Sequence, residues 1–379
     1  MSARTSNGLG IATRVFGSQW FVSVLAVLIA FVIGAILIAL SGASVLDAYY
    51  AMFRGSIVDP NAATFVRQIK PLTDSLFYSI PLIISGLGLA LGFRAGLFNI
   101  GGKGQIIVGA LAAVWVGFAV NLPPVVHTLV ALLVAIVAGG LYAGIAGVLK
   151  AKTGANEVIV TIMLNSIATL GLGYVLAQKA WQVPGSNQPV TPKVAESAAL
   201  TRLLPAPFKL HVGFIVALVA LAFFWWLIER STLGFQIRAV GANAAAARTA
   251  GISVERITAI TMVLSGAFLG LAGANEALGT IGYVSRDVAG TVGFDAITVA
   301  LLGRNKTWGT FGAGLLFGAF KAGGYTMQAK GVPIDMILIL QSVIVLLIAA
   351  PALVRWLFRL PDARALAART RKGDADEHK

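Results

Sequence analysis

The sequence contains no cysteine, so neither a disulfide nor a thiolate metal site can form within the chain. Histidine is almost absent as well: His127, His211 and His378 are too few and too scattered for a histidine-based catalytic centre or metal site. Neither a G-x-x-x-x-G-K-[ST] phosphate loop nor an H-E-x-x-H zinc motif occurs, and Lys103 in GGKGQ has no Ser or Thr after it. Nucleotide hydrolysis by this chain is therefore not expected, and no catalytic residue, metal ligand or bound cofactor is assigned. Charge is scarce too. Asp, Glu, Lys and Arg make up 12% of the 379 residues, against about 25% in ordinary soluble domains.

What fills the chain is apolar: 58% of residues are hydrophobic and the mean hydropathy is +0.86. A soluble core cannot absorb that much apolar surface. About 20 apolar residues in a helix cross a hydrocarbon layer roughly 30 Å thick, and only helices or closed barrels satisfy every backbone group there. No charge lies between Arg14 and Asp47, Asp74 and Arg94, Lys103 and Lys150, Glu157 and Lys179, Lys209 and Glu229, Arg256 and Glu276, Lys306 and Lys321, or Asp335 and Arg355. The long run after Lys103 is interrupted by Asn121-Leu122-Pro123-Pro124, which favours a turn.

The reading is an all-α integral membrane protein of about ten transmembrane helices, some short or discontinuous. They are placed at residues 19–42, 72–92, 103–121, 125–149, 157–178, 211–229, 257–280, 289–303, 308–322 and 333–354. The first run is too long for a signal-peptide core and is taken as a retained helix. The net charge of +14 would suggest nucleic acid for a soluble protein, but no nucleic-acid partner is expected here, because in a membrane protein the sidedness of Lys and Arg carries the information. With both termini cytoplasmic, 19 of the 29 Lys and Arg fall on the inside. The organisation is then a cytoplasmic tail 1–18, a permease domain 19–354 that includes an inner loop 230–256, and a second cytoplasmic tail 355–379.

Short helices near residue 300 matter because half-length helices bring polar backbone ends to mid-membrane depth, where solutes bind. A single tilted hairpin fits the same residues. Ionisable or strongly polar side chains at membrane depth are costly unless they face protein or water, which singles out Asn165, Asn275, Glu276, Asp295 and Gln341 as candidate pathway residues. Interhelical hydrogen bonding is the alternative for each. Asn99, in FNIGG, reads as a cap. In the loop 230–256, Ala242 to Ala250 is alanine-rich, bounded by Gly241 and Gly251, and carries Arg248, as expected for a short helix lying along the membrane surface or for an ordinary basic loop.

Four stretches resemble the permease subunits of ABC importers that serve ribose-type sugars, branched-chain amino acids and nucleosides: PLIISGLGLALGFRAGLFNIGGKGQIIVGA, GANEVIVTIMLN, GFQIRAVGANAAAARTAGI and GFDAITVALLGRNKTWGTFGAGLLFGAF. They lie between residues 81 and 320, and GANEVIVTIMLN is most similar to the nucleoside subgroup. The resemblance implies an alternating-access permease for a nucleoside in the bacterial cytoplasmic membrane, with a simple sugar or a branched-chain amino acid as alternatives. It implies that residues 238–251 dock on an ATPase subunit, with Arg238, Gly241, Asn243, Arg248 and Gly251 as coupling residues. The partners it implies are an ABC ATPase that uses ATP and Mg, a second and different permease, and an extracytoplasmic solute-binding lipoprotein, all in contact with membrane lipid. Two positions depart from the family pattern: Lys103 stands where Glu is common, and no Pro lies within 305–308. A stand-alone secondary transporter is the rival class, although the few deep carboxylates and histidines count against it.

Because the chain has no cysteine of its own, single cysteines report sidedness cleanly. A membrane-impermeant maleimide should label Ala245→Cys from the cytoplasmic side only and Ser186→Cys from the outside only; labelling of residue 245 from outside would remove the inner-loop assignment.

Overall fold

Where no water is available, each backbone N–H must bond within its own segment, and long uncharged runs leave the helix as the only local solution. The computed structural model describes residues 19–186, 188–329 and scattered positions between 331 and 347, and among them there is no strand beyond one isolated bridge, Arg202 to His211. The helices are α1 (Gln19–Leu40), α2 (Val45–Ser56), α3 (Phe65–Arg94), α4 (Gly102–Ala119), α5 (Val126–Thr153), α6 (Glu157–Ala177), α7 (Gly213–Arg230), α8 (Thr232–Ala242), α9 (Ala244–Thr249), α10 (Val254–Asn275), α11 (Val292–Leu302) and α12 (Thr307–Gln328). A π-helical turn, Glu276–Ile281, extends α10.

Among the described residues six helices are long and apolar enough to cross a membrane: α3, α4, α5, α6, α7 and α10 with its π turn. Val27–Leu40 and α11 are shorter apolar helices. The expected span 333–354 and Gln341 lie for the most part or wholly outside the described residues, as do the tails 1–18 and 355–379. The chain divides into two units. One comprises residues 1–51 and 324–379; within it Tyr49 donates to the Phe31 carbonyl and the two rings meet edge-on at 5.4 Å. The other comprises residues 52–323 and contains the candidate site.

In this larger unit α10 is the central helix, packed against α5, α4 and α3, while α11 packs on α3. Apolar side chains gain nothing from leaving lipid for another helix, so close backbone approach through small residues is what joins spans. The glycines sit where that approach happens. A Cβ on Gly270 would lie 2.2 Å from the Ala135 carbonyl oxygen, one on Gly139 would lie 2.5 Å from that of Gly266, and one on Gly273 would lie 2.2 Å from that of Ile106. Gly88 of α3 meets the same helix, with the Ser265 carbonyl oxygen 2.8 Å from its would-be Cβ.

One helix length differs from the sequence reading. Helix α12 is a full 22 residues rather than a short span, because Lys321 and the glycines beyond it continue the helix. Helix α4 has the length expected of it but starts part-way along its neighbours. Its entry turn bonds to Ser265 of α10 and Asn165 of α6, about 12–16 Å from the starts of those helices. The discontinuous pair is therefore α4 and α11, and their first turns touch: a Cβ on Gly293 would lie 2.4 Å from the Lys103 backbone nitrogen. At the other end of α4 the proline-rich stretch 188–209, with Pro189, Pro192, Pro205 and Pro207, forms an irregular cap joined by backbone bonds from Thr191 to Val284, Val194 to Gly282, Leu200 to Leu278 and Ala195 to Gly117.

Substituting Gly270→Ala should force α10 away from α5 and cost about 1–3 kcal/mol, the usual range for overpacking. Gly171→Ala, whose Cβ meets nothing within 4 Å, should be neutral or slightly stabilising. Thermal unfolding in detergent measures both; equal midpoints would show that the α5–α10 contact tolerates a methyl group.

Candidate functional site

Alanine and the absence of β-branching make residues 242–248 helix-favouring, but the segment is two helices rather than one. Asn243 breaks the run: it closes α8 and its side chain accepts from the Ala246 N–H at 3.0 Å, capping α9. Gly251, at φ +82°, ends α9 with bonds from its own N–H to Arg248 and from Ile252 to Ala247, the left-handed glycine stop. Every residue from Gly241 to Gly251 is exposed except Ala247. Arg248 stands out into solvent, paired at 2.5 Å with Glu255. Arg238 is half-buried. Gly241 is packed closely on one side: a Cβ there would lie 2.0 Å from the Arg94 carbonyl oxygen.

At the start of α4 a buried polar network fixes the entry turn. The Asn99 amide donates to Gln105 Oε1 and Ser265 Oγ, both at 3.0 Å, and its Oδ1 accepts from Gly101 N–H and Gln105 Nε2. Thr161 accepts from the Ile100 N–H at 3.2 Å. Asn165 completes the arrangement: Oδ1 accepts from Gly104 N–H at 2.7 Å and Nδ2 donates to the Ile100 carbonyl at 2.8 Å. Asn165 thus links α6 to the start of α4, and it also lines the cleft beside them. Asn99 is not the cap that the sequence reading made it: Gly101 holds the cap position without a side-chain bond, and Asn99 instead closes the turn onto the Gly101 N–H and links it to α10.

Beside this network lies a cleft of ≈710 Å³ between α4, α6 and α11, bordered by Lys103, Ser166, Thr169 and Phe294 with apolar walls from Ile162 and Leu170. It holds one cation, two hydroxyls and one aromatic face that is half exposed. On the next face of α11, Asp295 accepts from Thr291 Oγ1 at 2.6 Å. The positive charge acting on Asp295 is Lys321 of α12, which also acts on Glu276 of the π turn. Thr280 hydrogen-bonds Glu276, and Lys321 Nζ stands 5.9 Å from the centre of the Tyr78 ring. None of Glu276, Asp295, Lys321 and Tyr78 is fully buried.

Asn275 is different. It is wholly buried beside Gly213 and His211, and neither its Oδ1 nor its Nδ2 finds a partner among the described residues. His211, ahead of the first turn of α7, accepts from the Gly213 N–H through Nδ1, and burial lowers its pKa to about 4, so the ring is neutral. No group of three or more His, Cys, Asp or Glu suited to a metal occurs among the described residues.

A helical bundle with one helix starting part-way along its neighbours, a mostly apolar cleft holding a few polar groups and an exposed two-helix loop is compatible with a solute permease. Residues 72–349 match the family model described as "Branched-chain amino acid transport system / permease component". The chain belongs to that permease family. It is 40% identical over 349 residues to the guanosine ABC transporter permease protein NupP of Bacillus subtilis (strain 168), covering 89% of this chain and 95% of that protein. It is 35% identical to a glucose ABC transporter permease protein of Haloferax volcanii, over 85% of each chain. It is 30% identical to the nucleoside ABC transporter permease protein NupB of Lactococcus lactis subsp. cremoris, over 92% of this chain and 94% of that one. No solved structure matches.

The permease is accordingly a multi-pass component of an ABC transport system in the cytoplasmic membrane, a transport subunit rather than an enzyme. Of the five sequence-selected polar residues, Glu276 and Asp295 both feel the charge of Lys321, with no ion pair to it within 4 Å. Asn165 both bonds the start of α4 and lines the cleft, Asn275 is buried at the capped end, and Gln341 lies outside the described residues. Sequence reading missed Lys321 because a charge was used to mark the end of an apolar run, whereas α12 continues through it. Tyr78, Ser166 and Thr169 carry no signal in a single sequence, since a hydroxyl in a span is compatible with local backbone bonding.

Replacing Asn165 by Ala leaves the Gly104 N–H and Ile100 C=O unpaired, so it should lower the stability of the permease by about 1–3 kcal/mol. Ser166→Ala, one residue on and facing the cleft, should leave the unfolding midpoint unchanged. Thermal scans that rank the two alike would return Asn165 to the list of pathway residues.

Proposed function

We propose that this permease forms half of the pore of an ATP-driven importer for nucleosides, guanosine among them. The observation that carries the reading is the exposed segment Thr232–Thr249, two helices seated on the bundle end yet presenting almost all of α9 to solvent. A row of alanine methyls with one arginine, offered at a loop between two spans, is a surface suited to docking on a partner subunit. The 40% identity to a guanosine permease over most of both chains supports the solute.

In this reading the bundle end holding Arg94, Glu229, Gly241 and Asn305 is cytoplasmic, both termini are cytoplasmic, and the proline-rich cap faces outward. An ABC ATPase binding ATP and Mg docks on residues 238–251, with Arg248 as the exposed contact and Asn243 and Gly251 shaping the helix ends. A second, different permease completes the pore, and an extracytoplasmic binding protein delivers the solute. The pathway runs past Glu276, Lys321 and Asp295. Charged side chains at this depth, none fully buried, fit a wall facing water or a partner rather than lipid. For a neutral nucleoside the chemistry suits: carboxylates and hydroxyls take sugar hydroxyls and base N–H groups, and Tyr78 and Phe294 offer ring faces. A simple sugar ranks second, because a glucose permease is 35% identical over most of both chains.

Uptake of labelled guanosine in cells lacking this gene is expected to fall to background at low solute concentration; unchanged uptake removes the nucleoside reading. In the reconstituted importer, Glu276→Gln should raise the half-saturating solute concentration about tenfold, the scale of one lost hydrogen bond to a charged group, without changing basal ATP hydrolysis. Arg248→Glu should reduce ATPase docking, read as loss of the ATPase from the purified complex.

A further inference from the structure

Three loops meet at Arg94, the last residue of α3. Its Nε donates to the backbone carbonyl of Asn305, in the turn between α11 and α12, at 2.8 Å. Its Nη2 lies 3.9 Å from the Glu229 carboxylate near the end of α7, a long and part-exposed pair that contributes little. Its own carbonyl oxygen bears against Gly241 of α8, where a Cβ would come within 2.0 Å of it and within 3.0 Å of the Ala95 carbonyl carbon. The contact at Gly241 is backbone on backbone, so it has no soft side chain to absorb a displacement.

The turn on the other side of Arg94 is strained. Arg304 and Asn305 are consecutive non-glycine residues in the left-handed region, at φ 53° and 55°. Such a conformation persists only where its surroundings hold it. The holding contacts are the bond from Asn305 N–H to Ala300 and the Arg94 guanidinium on the Asn305 carbonyl. From that turn α11 runs as one short helix to Phe294 on the cleft and Asp295 beside Lys321.

We propose that Arg94 is the positioning residue that carries motion of the α8–α9 segment to the α11–α12 turn, and so moves Phe294 and Asp295 when the docked partner moves. The inference rests on the importer reading. One face of Arg94 is pressed by Gly241 and the other grips Asn305, so displacement of α8 shifts the turn and α11 moves with it as a rigid rod. Loss of the guanidinium leaves docking and folding in place and lets the two loops move independently.

The test uses the whole importer, with both permeases, ATPase and binding protein, in proteoliposomes. In Arg94→Gln, solute moved per ATP hydrolysed should fall about tenfold while hydrolysis itself is retained, and Arg94→Lys, which can still donate to Asn305, should recover part of the ratio. Transport and hydrolysis falling by the same factor would mean a merely structural role and would overturn the proposal. A readout that needs no solute uses spin labels on Ala245→Cys and Lys306→Cys, both exposed sites. Nucleotide binding should leave their separation unchanged with Arg94 present and should shift it in Arg94→Gln. A shift with Arg94 present, or none in the variant, overturns the proposal whichever solute the importer carries; failure of the wild-type importer to move guanosine bears only on the solute.

Discussion

The close approach of α10 to α5, α4 and α3 is the constraint on which the rest of the larger unit depends. In lipid the helices have no hydrophobic reason to associate, so association depends on backbones meeting and on dispersion at short range. Gly266, Gly270 and Gly273 make α10 narrow on the faces where Gly139, Ala135 and Ile106 arrive. Once those contacts are set, Ser265 falls within reach of Asn99, and Glu276 leaves the end of α10 in a π turn. The added residue in such a turn breaks the regular ladder and re-aims the chain beyond it, and π turns are used in this way at functional sites.

The buried polar groups divide into two kinds. Those around Asn99, Gln105 and Asn165 are fully satisfied within the protein, and their value lies in asymmetry: each bond adds little, but losing one partner strands another group out of reach of water. They act as rigid fixings for the part-depth start of α4. Glu276, Lys321 and Asp295 are only partly enclosed, and the charge of Lys321 acts on both carboxylates without an ion pair within 4 Å to either. Such an arrangement contributes poorly to stability compared with an apolar core. In the proposed importer these groups line the path of water or solute.

On the proposed mechanism, function has two mechanically separate parts. The exposed helix pair at one end of the bundle is the proposed grip, and the short helix α11 is the proposed moving wall. The α11–α12 turn, with its two left-handed residues, and the bare backbone at Gly241 are what bring the two within one residue of each other at Arg94. The proline-rich cap plays no part in that link; it is joined by backbone bonds to residues 278–284, at and just beyond the π turn.

Much of this was legible in the sequence because hydropathy, capping and charge spacing are local. The uncharged runs marked the spans, and the alanine-rich loop with its glycine boundary marked the exposed helix α9. Glu276 and Asp295 were visible because a carboxylate in an apolar run is conspicuous wherever the run folds. What the sequence could not hold was pairing. Arg94 and Asn305 are 211 residues apart, Asn99 and Ser265 are 166 apart, and Asn165 meets Gly104 across 61. Only the tertiary packing decided that Asn165 bonds the start of α4, that Lys321 lies near enough for its charge to act on Glu276 and Asp295, and that α4 starts part-way along its neighbours. Each depends on which helix faces meet, and in a chain of near-uniform hydropathy that choice rests with the glycines, whose neighbours no local pattern names.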